Sequence, residues 1–158
     1  MTSEGHWHSA VVYQVYWRSF KDGNGDGIGD LKGLRSKIGY LSSLGVDAIW
    51  LNPTYPSPQG DHGYDVSNYF DVDPLFGTLE ELEQAIDEFH DHGMAVLLDI
   101  VPNHVSSQHP WFISAKEGGH GHEAESRFII RQGKGDSGGI PPNCLLYTSP
   151  SPRDYPGS

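Results

Sequence analysis

The chain has 158 residues, a formal net charge of −11 at pH 7 and 36% hydrophobic residues, values that fit one ordinary globular domain. The acidic balance argues against a nucleic-acid partner, because such proteins need a basic surface to meet phosphates. No run has the length and hydropathy of a transmembrane helix, and the N-terminus lacks the pattern of a signal peptide. The single cysteine, Cys144, cannot form an internal disulfide, so we expect a cytoplasmic protein. The acidic charge and the lack of a membrane signal lead us to expect no membrane contact and a ligand that is neutral or a cation.

Strands and helices alternate along the first two thirds of the sequence. The predicted elements are, in chain order, a strand over 11–16, a helix over 31–44, a strand over 46–51, a helix from the capping box at Thr78 to Gly93, and a strand over 95–101. Asp30 is a plausible N-cap of the first helix, and Gly45 follows its last residue as a natural stop. The order strand, helix, strand, helix, strand predicts an α/β fold with a parallel sheet.

The third predicted strand ends in polar groups. Its continuous apolar run over 95–101 predicts a strand that is buried on both faces. Asp99 and His104 then stand at its carboxyl end, where parallel α/β proteins bind their ligands. A carboxylate between Leu98 and Ile100 requires hydrogen-bonding partners, and we expect the sequence to end before it supplies them.

The glycine-rich loop after the first strand alternates oxygen donors, as loops that bind hard cations do. Its candidate ligands are the side chains of Asp22, Asn24, Asp26 and Asp30 and the main-chain carbonyl of Ile28. The loop is not an EF-hand, because Gly33 occupies the place of the bidentate glutamate and a strand precedes the loop. Three carboxylates so close together would repel one another without a cation, so we expect a structural Ca²⁺, with Mg²⁺ as the alternative, rather than an empty turn.

Six stretches together resemble a known family. In chain order they are 12–20, 26–34, 48–53, 61–65, 73–77 and 99–104. They are similar to the N-terminal part of the α-amylase superfamily (glycoside hydrolase family 13), and most of all to its α-glucosidase and oligo-1,6-glucosidase branch. Chance is a poor explanation for six motifs in the family's order.

The resemblance implies a fold and a division of the chain. The family fold is an eight-stranded parallel (β/α)8 barrel, also called a TIM barrel, of about 250 residues or more, with a domain inserted after the third strand. The first three β/α repeats of an incomplete barrel would then occupy residues 7–104, and the start of the inserted domain 105–143. We expect residues 144–158, with prolines at 150, 152 and 156, to be a non-native and disordered tail.

The resemblance also implies an activity. It is that of a retaining α-glucosidase, which hydrolyses terminal α-linked glucose from oligosaccharides without an organic cofactor. Asp61, Tyr64 and His104 would bind the non-reducing glucose, because carboxylates suit the polar edges of a sugar and aromatic rings its C–H faces. Asp99 would support the nucleophile. From composition alone, a polar turn is the commoner interpretation of residues 61–65, and a structural capping role that of His104.

The catalytic groups themselves are expected elsewhere. In the family the nucleophile and the general acid lie at the fourth and fifth strands, which the predicted elements do not reach, so we expect the chain by itself to be inactive. Two alternatives stay open. One is a transglycosylating relative, such as a trehalose synthase or a sucrose-acting enzyme, and the other is a noncatalytic protein that binds sugar or calcium.

Overall fold

Three parallel strands form the centre of the computed structural model, which describes residues 6–118, 123–129, 131, 133–136 and 138–140. The strands are β1 (Val12–Val15), β2 (Ala48–Leu51) and β3 (Ala95–Leu98), in the sheet order β1-β2-β3. Their last residues, Val15, Leu51 and Leu98, stand at the same level of the register. The three carboxyl ends therefore meet at one edge of the sheet, and the predicted α/β fold is confirmed.

Helices follow each of the strands. They are α1 (Trp17–Phe20), α2 (Leu31–Arg35) and α3 (Ile38–Ser43) after β1, α4 (Leu79–Asp91) after β2, and α5 (Pro110–Gly118) after β3. Asp30 caps α2 as predicted, because its carboxylate accepts a hydrogen bond from the Gly33 amide. Thr78 and Glu81 form the predicted reciprocal capping box at the start of α4.

The predicted helix over 31–44 is divided in two. The Ser36 hydroxyl donates to the carbonyl of Gly33 at 2.6 Å, and Lys37 has a ψ angle of 0°, outside the helical range. A serine that bonds to the preceding turn competes with the helix for its backbone. The prediction of a single helix over 31–44 was therefore wrong.

The third strand is shorter and more exposed than its sequence predicts. The Asp99 amide still donates to the carbonyl of Leu51 at 3.3 Å, but β2 then runs into Pro53, which has no N–H for a further ladder bond. Leu97 and Leu98 remain 38% and 46% exposed, because β3 is an outer strand of the three-stranded sheet. The prediction that the third strand is buried on both faces was therefore wrong for this chain.

The hydrophobic core joins the sheet to α2, α3 and α4. Its largest fully buried side chains include Trp17, Leu34, Leu41 and Phe89. The Trp17 indole stacks on Phe76, with ring centroids 5.5 Å apart. At the surface, Arg35 of α2 forms an ion pair with Glu88 of α4. These contacts fix the helices, and with them the loops at the carboxyl edge of the sheet.

The chain divides into two compact units, residues 1–113 and residues 114–158. The first contains the sheet and every predicted site residue. In the described part of the second, a 3-10 helix spans Glu123–Arg127 and an isolated antiparallel bridge pairs Lys134 with Ile140. The predicted tail over 144–158 lies outside the described residues. Within those residues, no helix combines the length and hydropathy that crossing a bilayer requires.

Candidate functional site

The site is built at the carboxyl edge of the sheet. The Asn52 amide donates to the carbonyl of Val15 at 3.2 Å, and the Asp99 amide donates to the carbonyl of Leu51 at 3.3 Å. Both residues therefore continue the backbone ladder by one position beyond the strands. Their side chains therefore lie at the end of the hydrogen-bonded sheet, and sites built on strands are more precise than sites built on loops.

Asp99 is held by two side chains of this same chain. Its Oδ1 accepts a hydrogen bond from the Trp50 indole Nε1 at 2.8 Å, and its Oδ2 accepts one from the Tyr64 hydroxyl, also at 2.8 Å. The Tyr55 hydroxyl donates to the Asp99 main-chain carbonyl at 3.1 Å. The requirement for partners is confirmed, but the expectation that the sequence ends before supplying them was wrong.

A path of side-chain hydrogen bonds runs from β1 to Asp99. The Gln14 amide donates to Asn52 Oδ1 at 3.1 Å, and Asn52 Nδ2 donates to the Tyr64 hydroxyl oxygen at 3.1 Å. Tyr64 then donates to Asp99. Asn52 is only 7% exposed, so its amide depends on these protein partners rather than on water. The phenol of Tyr64 is thereby fixed both as an acceptor and as a donor.

His104 lies beside Tyr64. Its Nε2 is 3.1 Å from the Tyr64 main-chain carbonyl, and its Nδ1 is 3.2 Å from the Asn103 side-chain nitrogen. A carbonyl can only accept, so Nε2 is the donor to Tyr64, and an amide nitrogen can only donate, so Nδ1 is the acceptor from Asn103. The Tyr69 hydroxyl lies 3.0 Å from the His104 carbonyl, and burial raises the pKa of that phenol. The sheet edge thus brings Tyr64, Asp99 and His104 together.

Asp61 stands apart from this cluster. It opens the turn that ends at Tyr64, whose amide donates to the Asp61 carbonyl at 2.9 Å. Its side chain is exposed, and within the described part of the chain its carboxylate makes no side-chain hydrogen bond to Tyr64, Asp99 or His104. The structure therefore joins Asp61 to the other predicted residues through the backbone alone.

The candidate cation loop is ordered by its own carboxylates. Asp22 accepts hydrogen bonds from the amides of Gly25 and Gly27 at 2.6 and 2.9 Å, and the Gly25 bond is the main cause that lowers the pKa of Asp22. Asp26 accepts from the Asn24 side-chain amide at 3.0 Å. Asp30 is buried, and its two oxygens already serve the backbone amides of Gly23 and Gly33.

The carboxylates of this loop could bind a hard cation only together with neutral oxygen donors. Across the described residues, no three His, Cys, Asp or Glu side chains converge on a point that could hold a metal ion. A cation would therefore depend on the amide oxygen of Asn24 and the carbonyl of Ile28 as well as on Asp22 and Asp26. Oxygen donors of this mixed kind are the ones that Ca²⁺ uses.

Several residues of the site were missed in the sequence. Trp50 and Asn52 follow the same rule that singled out Asp99, because they stand at the carboxyl end of a parallel strand. Tyr55 lies three residues further on, in the long connection of residues 52–78 between β2 and α4. Gln14 lies within β1 and carries no signal of its own, since only the folded register shows that it meets Asn52.

Comparison with known proteins agrees with this geometry. The family model for the alpha amylase catalytic domain matches residues 14–149. A probable alpha-glucosidase of Rhizobium meliloti (strain 1021) is 47% identical over 140 residues, which are 89% of this chain and 25% of that protein. The oligo-1,6-glucosidase of Heyndrickxia coagulans is 50% identical over 111 residues, 70% of this chain and 20% of that protein.

A solved structure gives the same relationship. The trehalulose synthase MutB from Pseudomonas mesoacidophila MX-45 is 48% identical, with a TM-score of 0.79 over 82% of this chain and 23% of that one. The chain thus spans a fifth to a quarter of the length of these three proteins. On the extent of the family match, the chain belongs to the alpha-amylase catalytic domain family.

Proposed function

We propose that the chain supplies the glucose-binding side of the active site of a retaining α-glucosidase, an enzyme that releases terminal α-linked glucose from oligosaccharides. The observation that carries the proposal is the hydrogen-bonded cluster of Tyr64, Asp99 and His104 at the carboxyl edge of the sheet. Relatives that bear the names alpha-glucosidase and oligo-1,6-glucosidase support the same activity.

Each side chain has a role that its surroundings allow. Tyr64 is half-buried, and its fixed ring offers a flat apolar face to a pyranose. The exposed carboxylate of Asp61 accepts hydrogen bonds from sugar hydroxyls. His104 is exposed, and a sugar hydroxyl can replace the Asn103 amide as the donor to its Nδ1. Together these groups would bind a neutral monosaccharide unit.

Asp99 is a positioning residue in this proposal and not the nucleophile. Both of its carboxylate oxygens already accept a hydrogen bond, from Trp50 and from Tyr64. Retaining hydrolysis needs two further carboxyl groups about 5–5.5 Å apart, one to attack the anomeric carbon and one to protonate the leaving oxygen. The family resemblance assigns both to later strands of the barrel.

A two-chain enzyme tests the proposal. The 158-residue chain is co-expressed with the remaining part of the Heyndrickxia coagulans oligo-1,6-glucosidase, and hydrolysis of p-nitrophenyl α-glucoside is measured. We expect activity only with both parts present. Because a hydrogen bond to a charged group contributes about 1.5–3 kcal/mol, Asp61→Asn should lower kcat/KM by about tenfold or more. The exposed Asp71 lies in the same connection, and Asp71→Asn should change nothing.

The proposal fails if the two-chain enzyme is active but Asp61→Asn, Tyr64→Phe and His104→Ala all leave kcat/KM unchanged. It also fails if the assembled pair hydrolyses nothing while the same partner is active with the corresponding part of its own sequence. The second comparison shows that the partner can be complemented, and co-purification of the two parts shows that the pair has assembled.

A sucrose-acting enzyme is the second candidate, favoured by the structural similarity to a trehalulose synthase at 48% identity. The sugar-binding residues on this chain suit both reactions, because both hold one glucose unit. Two fusions would distinguish them, one to the rest of that synthase, assayed with sucrose, and one to the rest of the Heyndrickxia coagulans oligo-1,6-glucosidase, assayed with p-nitrophenyl α-glucoside. A kcat/KM closer to that of the unaltered parent in the first fusion would favour this candidate, and one closer to the parent in the second would favour hydrolysis.

We also propose a structural Ca²⁺, or Mg²⁺ in its place, in the loop of residues 22–30. Asp22, Asn24, Asp26 and the Ile28 carbonyl would be its main ligands, with Asp30 a weaker one because both of its oxygens serve the backbone. Calorimetric titration of the chain with Ca²⁺ should release or absorb heat, and Asp22→Asn combined with Asp26→Asn should abolish it. The absence of heat with the unsubstituted chain would remove the proposal.

We propose a cytoplasmic location and neither nucleic acid nor membrane as a partner. The net charge of −11 opposes binding to phosphates, and the single Cys144 fits a reducing compartment. Retention of the chain on a heparin or DNA column at physiological salt would contradict the exclusion of nucleic acid as a partner.

A further inference from the structure

The turn that carries Asp61 is conformationally strained. Gln59 and His62 have φ angles of 60° and 51°, and Gly63 has a φ angle of 97°. A left-handed backbone is unfavourable for residues with a Cβ, and it persists only where surrounding contacts impose it. We call residues 59–63 the left-handed turn. Contacts with neighbouring parts of the chain must therefore stabilise its conformation.

The Asp65 carboxylate accepts two hydrogen bonds from the left-handed turn and one from Ser57 beside it. Its Oδ1 accepts hydrogen bonds from the Ser57 hydroxyl at 2.6 Å and from the Asp61 amide at 3.1 Å, and its Oδ2 accepts one from the Gly60 amide at 3.0 Å. Ser57 is itself anchored, since its amide donates to the buried carboxylate of Asp73 at 3.2 Å. Three donors from residues 57–61 thus converge on one side chain.

The charge of Asp65 favours this arrangement. Burial raises the pKa of the Asp65 carboxyl, but the hydrogen bonds from the Ser57 hydroxyl and from the Asp61 and Gly60 amides lower it by more, so its pKa lies below the ordinary value. At neutral pH the group is therefore ionised, with both oxygens available as acceptors. A hydrogen bond to an ionised acceptor is shorter and stronger than one between neutral groups.

We propose that Asp65 is a positioning residue, whose ionised carboxylate fixes the left-handed turn so that Asp61 and Tyr64 face the same sugar unit. The inference rests on the proposed function and deepens it. The link between the two sugar-binding residues is the hydrogen bond from the Tyr64 amide to the Asp61 carbonyl, 2.9 Å long, which closes the turn. Asp65 acts through that turn and not by contact with the substrate.

Amide hydrogen exchange in the 158-residue chain tests the inference at neutral pH. In Asp65→Asn the carboxylate loses its charge and one acceptor oxygen. We expect the amides of Gly60, Asp61 and Tyr64 to exchange about tenfold faster or more, as the loss of a charge-assisted hydrogen bond predicts. The Ile49 amide of β2 should keep its protection, which shows that the change is local.

The matched control is Asp71→Asn. Asp71 is an exposed residue of the same connection, and its carboxylate accepts a hydrogen bond from the adjacent Val72 amide. It makes no contact with the left-handed turn among the described residues. The control removes the same charge, so unchanged exchange at Gly60 and Asp61 there assigns the effect to Asp65.

Two results would overturn the inference. One is unchanged exchange at Gly60 and Asp61 in Asp65→Asn, and the other is faster exchange at those amides with the Tyr64 amide unaffected. Should Asp65→Asn not fold, Ser57→Ala keeps the charge and removes the shortest of the three bonds, together with the bond of 2.9 Å that the Ser57 hydroxyl accepts from the Gln59 amide. The amides of Gly60, Asp61 and Tyr64 must again exchange faster. Exchange does not depend on turnover, so an inactive two-chain enzyme with the expected exchange pattern would refute only the proposed function.

Discussion

Replacing Tyr64 by phenylalanine tests how much the hydrogen bonds of the site contribute to the free energy of unfolding. The substitution removes one oxygen, which donates to Asp99 Oδ2 at 2.8 Å and accepts from Asn52 Nδ2 at 3.1 Å. The bond to a charged acceptor contributes about 1.5–3 kcal/mol, and leaving the Asn52 amide unpaired costs about 1 kcal/mol more. Because Tyr64 is only half-buried, water can replace part of this. We therefore expect the free energy of unfolding to fall by about 2 kcal/mol.

Urea unfolding of the 158-residue chain, followed by circular dichroism, measures this difference. Tyr40→Phe is the matched control, because Tyr40 is 53% exposed and its hydroxyl makes no hydrogen bond within the described residues. The control should stay within about 0.5 kcal/mol of the unsubstituted chain, as surface substitutions generally do. If Tyr64→Phe also stays within that range, the hydrogen-bonded path from β1 to Asp99 does not stabilise the fold, and our description of it is wrong.

Three further outcomes are expected. Thr78→Ala removes half of the capping box on α4 and should lower the free energy of unfolding by about 1 kcal/mol; an unchanged urea midpoint would contradict the cap. Because the pKa of Asp65 is lower in the folded chain, its contribution to stability is complete above its unfolded pKa and disappears as the pH falls through the folded value. Urea unfolding at stepped pH should therefore show stability declining below about pH 4, and less steeply in Asp65→Asn; identical slopes would refute this. The isolated chain should not hydrolyse p-nitrophenyl α-glucoside, and measured turnover by the purified protein would show that it contains a nucleophile we have not identified.

Local signals in the sequence predicted the elements that local contacts determine. The capping box at Thr78 and the N-cap at Asp30 depend on side chains within three residues, and both form as predicted. The alternation of strands and helices likewise predicted the parallel sheet. The break at Ser36 was missed because an apolar pattern at helical spacing does not show which backbone carbonyl a serine hydroxyl selects.

The type of site could be predicted from the sequence, but the hydrogen bonds between its residues could not. The position of Asp99 at a strand end indicated a buried carboxylate with partners, and the motif resemblance selected Tyr64 and His104. That Trp50 and Tyr64 are those partners depends on the register of β2 against β3 and on the course of the long connection. Neither is encoded in the spacing of residues along the chain, so the partners were wrongly expected beyond its end.

The path from Gln14 through Asn52 and Tyr64 to Asp99 is closed within a single uninterrupted quarter of a typical relative's length. Under the proposed function, recognition of the monosaccharide can therefore be inherited as a block, separately from the later strands to which the family resemblance assigns the catalytic groups. Under the proposed function, exchange of those later strands would change the product and leave the glucose-binding residues of this chain in place. Such a block fits the similarity of one short chain both to proteins named as glucosidases and to one named as a synthase.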